Sequence, residues 1–131
     1  MDGFYGRILL VNLTARRYRI EPVADETQAA YLGGKGLATR LLLDRNPPGV
    51  DPFAPENHLI FATGPICQSR IWGGSRYGVF TKSPLTGLYS ESYAGGRVPE
   101  AIDAAGFDAV IFHGKATQPL VVSVHPGGAE F

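Results

Sequence analysis

The sequence predicts an α+β fold: a mixed or antiparallel β-sheet of about seven short strands, with three short helices. Three observations point there. Strand-like segments come in runs rather than in strict alternation with helices. The helix signals are few, and each covers a dozen residues or fewer. Seventeen Gly and ten Pro punctuate 131 residues, so turns are frequent and some backbone passes close to bulky neighbours.

The elements follow in order. Tyr5–Leu13 is an apolar strand, with Leu9, Val11 and Leu13 on one face and Ile8 and Leu10 on the other. A turn at Thr14–Ala15 leads into Arg17–Glu21, whose alternation predicts a hairpin partner with one wet face. Asp25–Leu32 is a short helix stopped by Gly33-Gly34. A second helix runs from Gly36 to Arg45, burying Leu37, Ala38, Leu41 and Leu42, and Asn46-Pro47-Pro48-Gly49 ends it. After a rigid loop over 51–57, His58–Thr63 is apolar enough for a strand buried on both faces. Gly64–Gly96 is rich in glycine and holds the strands Tyr77–Thr81 and Leu88–Tyr93, joined by the turn Ser83–Gly87. Pro99 near its start and Gly106 at its end frame a third helix, Val98–Ala105. Ala109–Phe112 and Leu120–Val124 are the last strands, and nothing is predicted after Gly127-Gly128-Ala129.

Length fits a single domain over 1–131. Net charge is zero, which removes the global electrostatic case for nucleic acid or an anionic membrane. Charged residues are 18% of the chain, below the usual quarter, so a ligand or partner is expected to cover some surface. A lone cysteine, Cys67, excludes an internal disulfide, a four-thiolate zinc site and a four-cysteine iron–sulfur cluster within one copy. Met1–Arg7 lacks the pattern of a secretory leader, and no stretch approaches the ~20 apolar residues of a membrane span. A cytoplasmic location is the expectation.

Four segments could carry chemistry: Gly33-Gly34-Lys35-Gly36, Gly73-Gly74-Ser75-Arg76, Lys82–Gly87 and Gly95-Gly96-Arg97. Glycine lets backbone N–H groups approach an anion, a helix N-terminus adds its dipole, and Arg or Lys adds charge. Taken singly, each reads as a cap or turn with a solvated cation. Together they raise a competing reading, a phosphate-bearing ligand. No dinucleotide or Walker A motif is met. His58, His113 and His125 have no partner at ligand spacing, Cys67 reads as a small buried residue, and no catalytic carboxylate pair stands out.

At this point a family resemblance emerges. Tyr5–Thr14, Leu32–Ala38, Pro47–Pro52, Pro55-Glu56-Asn57, Phe61–Pro65, Arg76-Tyr77, Thr81–Gly87, Gly95-Gly96, Ala105–Asp108 and Gly114-Lys115-Ala116 resemble, in order, the tungsten-containing aldehyde:ferredoxin oxidoreductases. The likeness spans essentially the whole chain and corresponds to the first part of their two-sheet N-terminal domain. It implies a base for a bis-pterin cofactor holding tungsten or molybdenum, with magnesium bridging the pterin phosphates. By that resemblance, Arg76 is similar to the arginine at the pterin phosphates. Ser90–Gly96, with Tyr93, Ala94, Gly95 and Gly96 as its cofactor-binding residues, resembles the loop that lines the pterin, and the Tyr93 backbone carbonyl corresponds to a magnesium ligand. Lys82 belongs to the third supporting turn. Two departures are visible: Tyr93 stands where relatives often carry Asn, and Ala15 where they usually carry Gly.

The implied whole enzyme oxidises aldehydes to carboxylic acids and passes electrons through a [4Fe–4S] cluster to ferredoxin. The cluster ligands and catalytic residues are absent from this chain, so no catalytic residue is assigned to it. Its expected partner is the rest of the oxidoreductase, on the same polypeptide or as a separate subunit, and a homodimer would rebuild a two-sheet base. The competing class is a non-catalytic pterin- or anion-binding or assembly module.

Overall fold

The computed structural model describes residues 3–131. Met1 and Asp2, the start of the stretch Met1–Arg7 considered above, lie outside the described residues. The elements are β1 (Arg7–Asn12), β2 (Arg17–Pro22), α1 (Asp25–Tyr31), α2 (Gly34–Arg45), β3 (Leu59–Thr63), β4 (Tyr77–Lys82), β5 (Tyr89–Ala94), α3 (Arg97–Ala104), β6 (Ala109–His113), β7 (Ser123–His125) and β8 (Gly128–Glu130). Six strands form one mixed sheet in the order β2-β1-β6-β3-β4-β5, and β7 and β8 form a separate antiparallel pair. Within the large sheet β1 and β6 run parallel, and the other neighbours are antiparallel.

Ile8, Leu9, Leu10 and Val11 are consecutive and all buried, as a strand covered on both faces requires. Period-two alternation sends Ile8 and Leu10 toward α2, into a cluster with Leu37, Ala38, Leu41, Leu42, Ile60 and Phe80. Leu9 and Val11 pack on the opposite face with Ile102, Phe107, Val110 and Ala129. The predicted stripe of α2 is the buried one. A polar tie closes the centre: buried Asp108 accepts hydrogen bonds from the backbone N–H of Tyr5 (3.0 Å) and Gly6 (2.8 Å) and from Gln28 Nε2 (3.3 Å).

The structure corrects four expectations. The last strand is Ser123–His125 rather than Leu120–Val124, and an eighth strand, β8, follows it. Nothing apolar announces β8, because Gly128 (φ 137°) passes under Tyr18: a Cβ there would lie 2.0 Å from the ring. On β2 the polar face is not the wetter one; both faces are largely exposed, and Glu21 is the more protected residue, paired with Arg45 of α2 at 2.5 Å. Helix α1 ends on Leu32 in the left-handed region (φ 53°) rather than on a glycine. Gly33 instead caps α2, which starts at Gly34 rather than Gly36. The elbow is tight, since a Cβ on Gly36 would lie 2.2 Å from the Tyr31 carbonyl oxygen.

Candidate functional site

A cleft of about 230 Å³ opens where α2 begins and β3, β4 and β5 meet the glycine-rich loop. Gly34 and Lys35 of α2 form one side, Ala62 and Gly64 the floor at the end of β3, and Gly73, Gly74 and Arg76 the loop side. Ile66, Tyr77, Gly78 and Tyr93 complete it. Two of the four glycine–cation segments therefore line one cavity. A third adjoins it: Ser75 Oγ donates to the Gly96 carbonyl (2.8 Å), and a Cβ on Gly95 would lie 2.4 Å from Arg76 Nη1.

Local sequence explains the shape. The N-cap of α2 is Gly33, which offers no side chain to the first-turn amides. Leu37 N–H reaches Gly33 (3.3 Å), so the amides of Gly34, Lys35 and Gly36 precede the helical ladder and stand at its positive end. At Gly64 and Gly73 a Cβ would meet nothing within 4 Å, so these glycines leave open room. Gly78 is glycine for the opposite reason: a Cβ would lie 2.3 Å from Phe80 Cζ, a fully buried ring. Gly78 pairs across the ladder with Tyr93, whose ring meets Phe80 edge-on at 5.9 Å and forms a wall of the cleft.

The charges are Arg76, exposed, with Nη1 donating to the Ser75 carbonyl (3.0 Å), and Lys35, whose Nζ lies 3.0 and 2.8 Å from the two oxygens of Glu91 on β5. That hydrogen bond pushes the Lys35 ammonium above its ordinary pKa and holds the Glu91 carboxyl below its own. Burial, then the adjacent Glu91, raises the Tyr93 phenol. The cleft thus combines two cations, one of them paired with Glu91, with a helix N-terminus and bare backbone, and no carboxylate is among the residues lining it.

Comparison with known proteins identifies the architecture. The family model described as "Aldehyde ferredoxin oxidoreductase, N-terminal domain" matches residues 8–131. The chain belongs to the aldehyde ferredoxin oxidoreductase family. The tungsten-containing aldehyde ferredoxin oxidoreductase of Pyrococcus abyssi is 42% identical over 130 residues, covering 99% of this chain and 21% of that protein. Its counterpart in Pyrococcus furiosus is 40% identical over 124 residues, covering 95% and 20%. Among solved structures, the active site complex BamBC of benzoyl coenzyme A reductase, in complex with 1,5-dienoyl-CoA, contains a chain that superposes with a TM-score of 0.94 at 36% identity. That match covers 98% of this chain and 20% of the other. The chain thus spans about a fifth of the length of these family members.

Of the residues the sequence singled out, Arg76 and Tyr93 line the cleft and Gly95 abuts Arg76. Gly96 (φ 83°) caps α3, and Ala94 is exposed at the end of β5, opposite Tyr77. Lys82 is not brought to them. It ends β4 at the other edge, where Nζ donates to the Val50 carbonyl (2.5 Å) beside the Ser83–Gly87 turn. Sequence reasoning missed Gly78, for which a lone glycine inside the strand run Tyr77–Thr81 was the available signal, and included Glu91 only as part of the Ser90–Gly96 loop. It quoted Lys35 only as part of a glycine segment.

Away from the cleft, His58 and His113 stack at 5.2 Å. Burial, then the neighbouring charges of His113 and Arg45, lowers His58 to about 4. Cys67 is buried, and burial raises its thiol. Among the described residues, no three His, Cys, Asp or Glu side chains are grouped to hold a metal, and no helix is long and apolar enough to cross a membrane.

Proposed function

We propose that this chain is the cofactor-supporting segment of an oxidoreductase that converts aldehydes to carboxylic acids with ferredoxin as electron acceptor, and that the cleft holds the phosphate end of a bis-pterin carrying tungsten or molybdenum. The observation that carries this is the convergence of Gly33–Gly36 and Gly73–Arg76 on one glycine-lined cavity, in a family whose relatives are named tungsten-containing. The residues fit such a group. Gly64 and Gly73 leave space where any other residue would place a Cβ, the first amides of α2 supply donors, and Arg76 supplies a planar cation suited to a phosphate. When bound, the metal–pterin centre supplies the two-electron oxidation of the aldehyde carbon. The residues of this chain anchor and orient the group, and none is assigned a proton-transfer role.

Magnesium at the pterin phosphates fits the main-chain carbonyl of Tyr93, because a backbone oxygen is unaffected by the change from Asn to Tyr. Ala94, Gly95 and Gly96 shape that loop. Lys82, tied to Val50, acts at most through the Ser83–Gly87 turn. The enzyme is placed in the cytoplasm. The rest of the oxidoreductase, or a second copy of this chain, would cover the β5 edge, which pairs with β4 alone. Light scattering on the purified chain separates a dimer from a monomer of 14.0 kDa.

The deciding experiment is Arg76→Leu in the complete protein. Metal and pterin per folded molecule are expected to fall several-fold, while stability changes by less than about 0.5 kcal/mol, as for an exposed side chain. Full loading would overturn the assignment. A second reading, an assembly module, draws on three exposed hydrophobics of the glycine-rich loop, Ile66, which lines the cleft, and Ile71 and Trp72. It predicts metal only in a longer co-purifying subunit.

A further inference from the structure

Lys35 occupies an odd place. It is the second residue of α2, where the helix dipole disfavours a cation. Helices α1 and α3 follow the usual preference, with Asp25 and Glu26, and Glu100, in their first turns; α2 has no acid there. The compensating charge comes from another element, Glu91 of β5, whose oxygens lie 3.0 and 2.8 Å from Lys35 Nζ. Both partners reach solvent, with side chains 58% and 32% exposed, and exposed pairs contribute about 0–1 kcal/mol. The pair is therefore a poor structural tie, yet it sits on the rim of the cleft that Lys35 and Arg76 line together.

We propose that Lys35 is a further ligand for the anionic group held in this cleft, and that Glu91 competes with that anion for its ammonium. The inference rests on the reading of the cleft as a phosphate site. A phosphate oxygen at the N-terminus of α2 offers Lys35 a charge-assisted bond in a field that already favours negative charge. The flexible four-carbon stem lets the ammonium exchange partners without moving the helix. Glu91 thus sets how tightly the anion is held: it draws the Lys35 charge away from the cleft.

The two partners must then act in opposite directions. In the complete, cofactor-loaded protein, Lys35→Gln is expected to release metal and pterin roughly tenfold faster in a high-salt wash, the scale of one lost charge-assisted bond. Lys35→Arg is expected to restore retention. Glu91→Gln is expected to slow release below the parent rate. Metal content and pterin fluorescence per folded molecule are the readouts, with circular dichroism confirming the fold. If Lys35→Gln and Glu91→Gln shift retention in the same direction, or if Lys35→Gln leaves it unchanged, the proposal is wrong. Arg76→Leu separates the two failures. If that variant sheds the cofactor while Lys35→Gln keeps it, only this inference falls; if both keep it, the reading of the cleft falls as well.

Discussion

At the centre of the sheet, Ile8, Leu9, Leu10 and Val11 are buried without a break, and the buried carboxylate of Asp108 is filled by three donors. At the other end, five of the six residues of β5 are exposed, and a glycine is the second residue of β4. The same backbone ladder runs through both. What differs is where the side chains find partners. The centre satisfies itself, so changes there act on stability. The β4–β5 end keeps open space and the exposed cation Arg76, so on the proposed reading changes there act on ligand retention.

The contrast is broken most directly at Asp108. Asp108→Ala would leave the amides of Tyr5 and Gly6 and the Gln28 side chain without their acceptor, and a loss of about 3 kcal/mol is expected in urea unfolding. A midpoint that does not move would mean the centre does not depend on this tie. Gly78→Ala asks whether the cleft end has any part that behaves like core. Its new methyl would meet the buried Phe80 ring, and overpacking of this kind is expected to cost about 2 kcal/mol. If Gly78→Ala melts with the parent, the Phe80–Tyr93 wall is softer than its geometry implies.

Acid sharpens the comparison at a third place, the edge of the centre where His58 and His113 stack. The folded pKa of His58 is about 4 against an ordinary 6.5, so the unfolded chain takes up the proton first. This contribution to stability is complete above about 6.5 and is lost as pH falls through 4. Unfolding free energies of the parent should decline across that window, and His58→Gln should flatten the slope; equal slopes would remove His58 as the cause. The smallest stability effect is expected from Gly95→Ala. Its Cβ would meet the far end of the Arg76 side chain, and the Ser75 carbonyl oxygen at 3.1 Å, so the melt should shift by about 0.5–1 kcal/mol while the guanidinium is turned from its place. In the complete protein, retention of the metal should fall even so. A large drop in melting temperature with metal retained would reverse the division between the two ends.

Legibility in the sequence followed the same division. Apolar runs such as Ile8–Val11 and the stripe Leu37, Ala38, Leu41 and Leu42 report their own burial, because their period matches the element that carries them. Residue type alone suggested bringing Arg76 and the glycine segments together, and two of those segments do line one cleft, whereas the cofactor proposed for it comes from the family resemblance. Lys35 with Glu91, 56 positions apart, was not readable, since only the packing of α2 on β3 and β4, with β5 next in the sheet, brings them together. Nor was β8, whose Gly128 and Ala129 carry no strand pattern and which is held by Tyr18 from the far end of the chain. Leu32 shows the same limit from another side: two glycines followed it, and the elbow still placed the leucine in the left-handed region.

The parallel pairing of β1 with β6 has a consequence for how the chain is made. Tyr5 and its acceptor Asp108 are 103 positions apart, so β1 leaves the ribosome well before the strand it pairs with. At cellular rates of synthesis that interval is about 5 to 20 s. Throughout it, the apolar face of the β1–β2 hairpin has neither its neighbour nor its covering helix α3. Loops that long close slowly, and non-local strand pairing sets the pace of folding. The nascent β1–β2 hairpin therefore keeps an uncovered apolar face, of the kind a chaperone binds, until β6 is made.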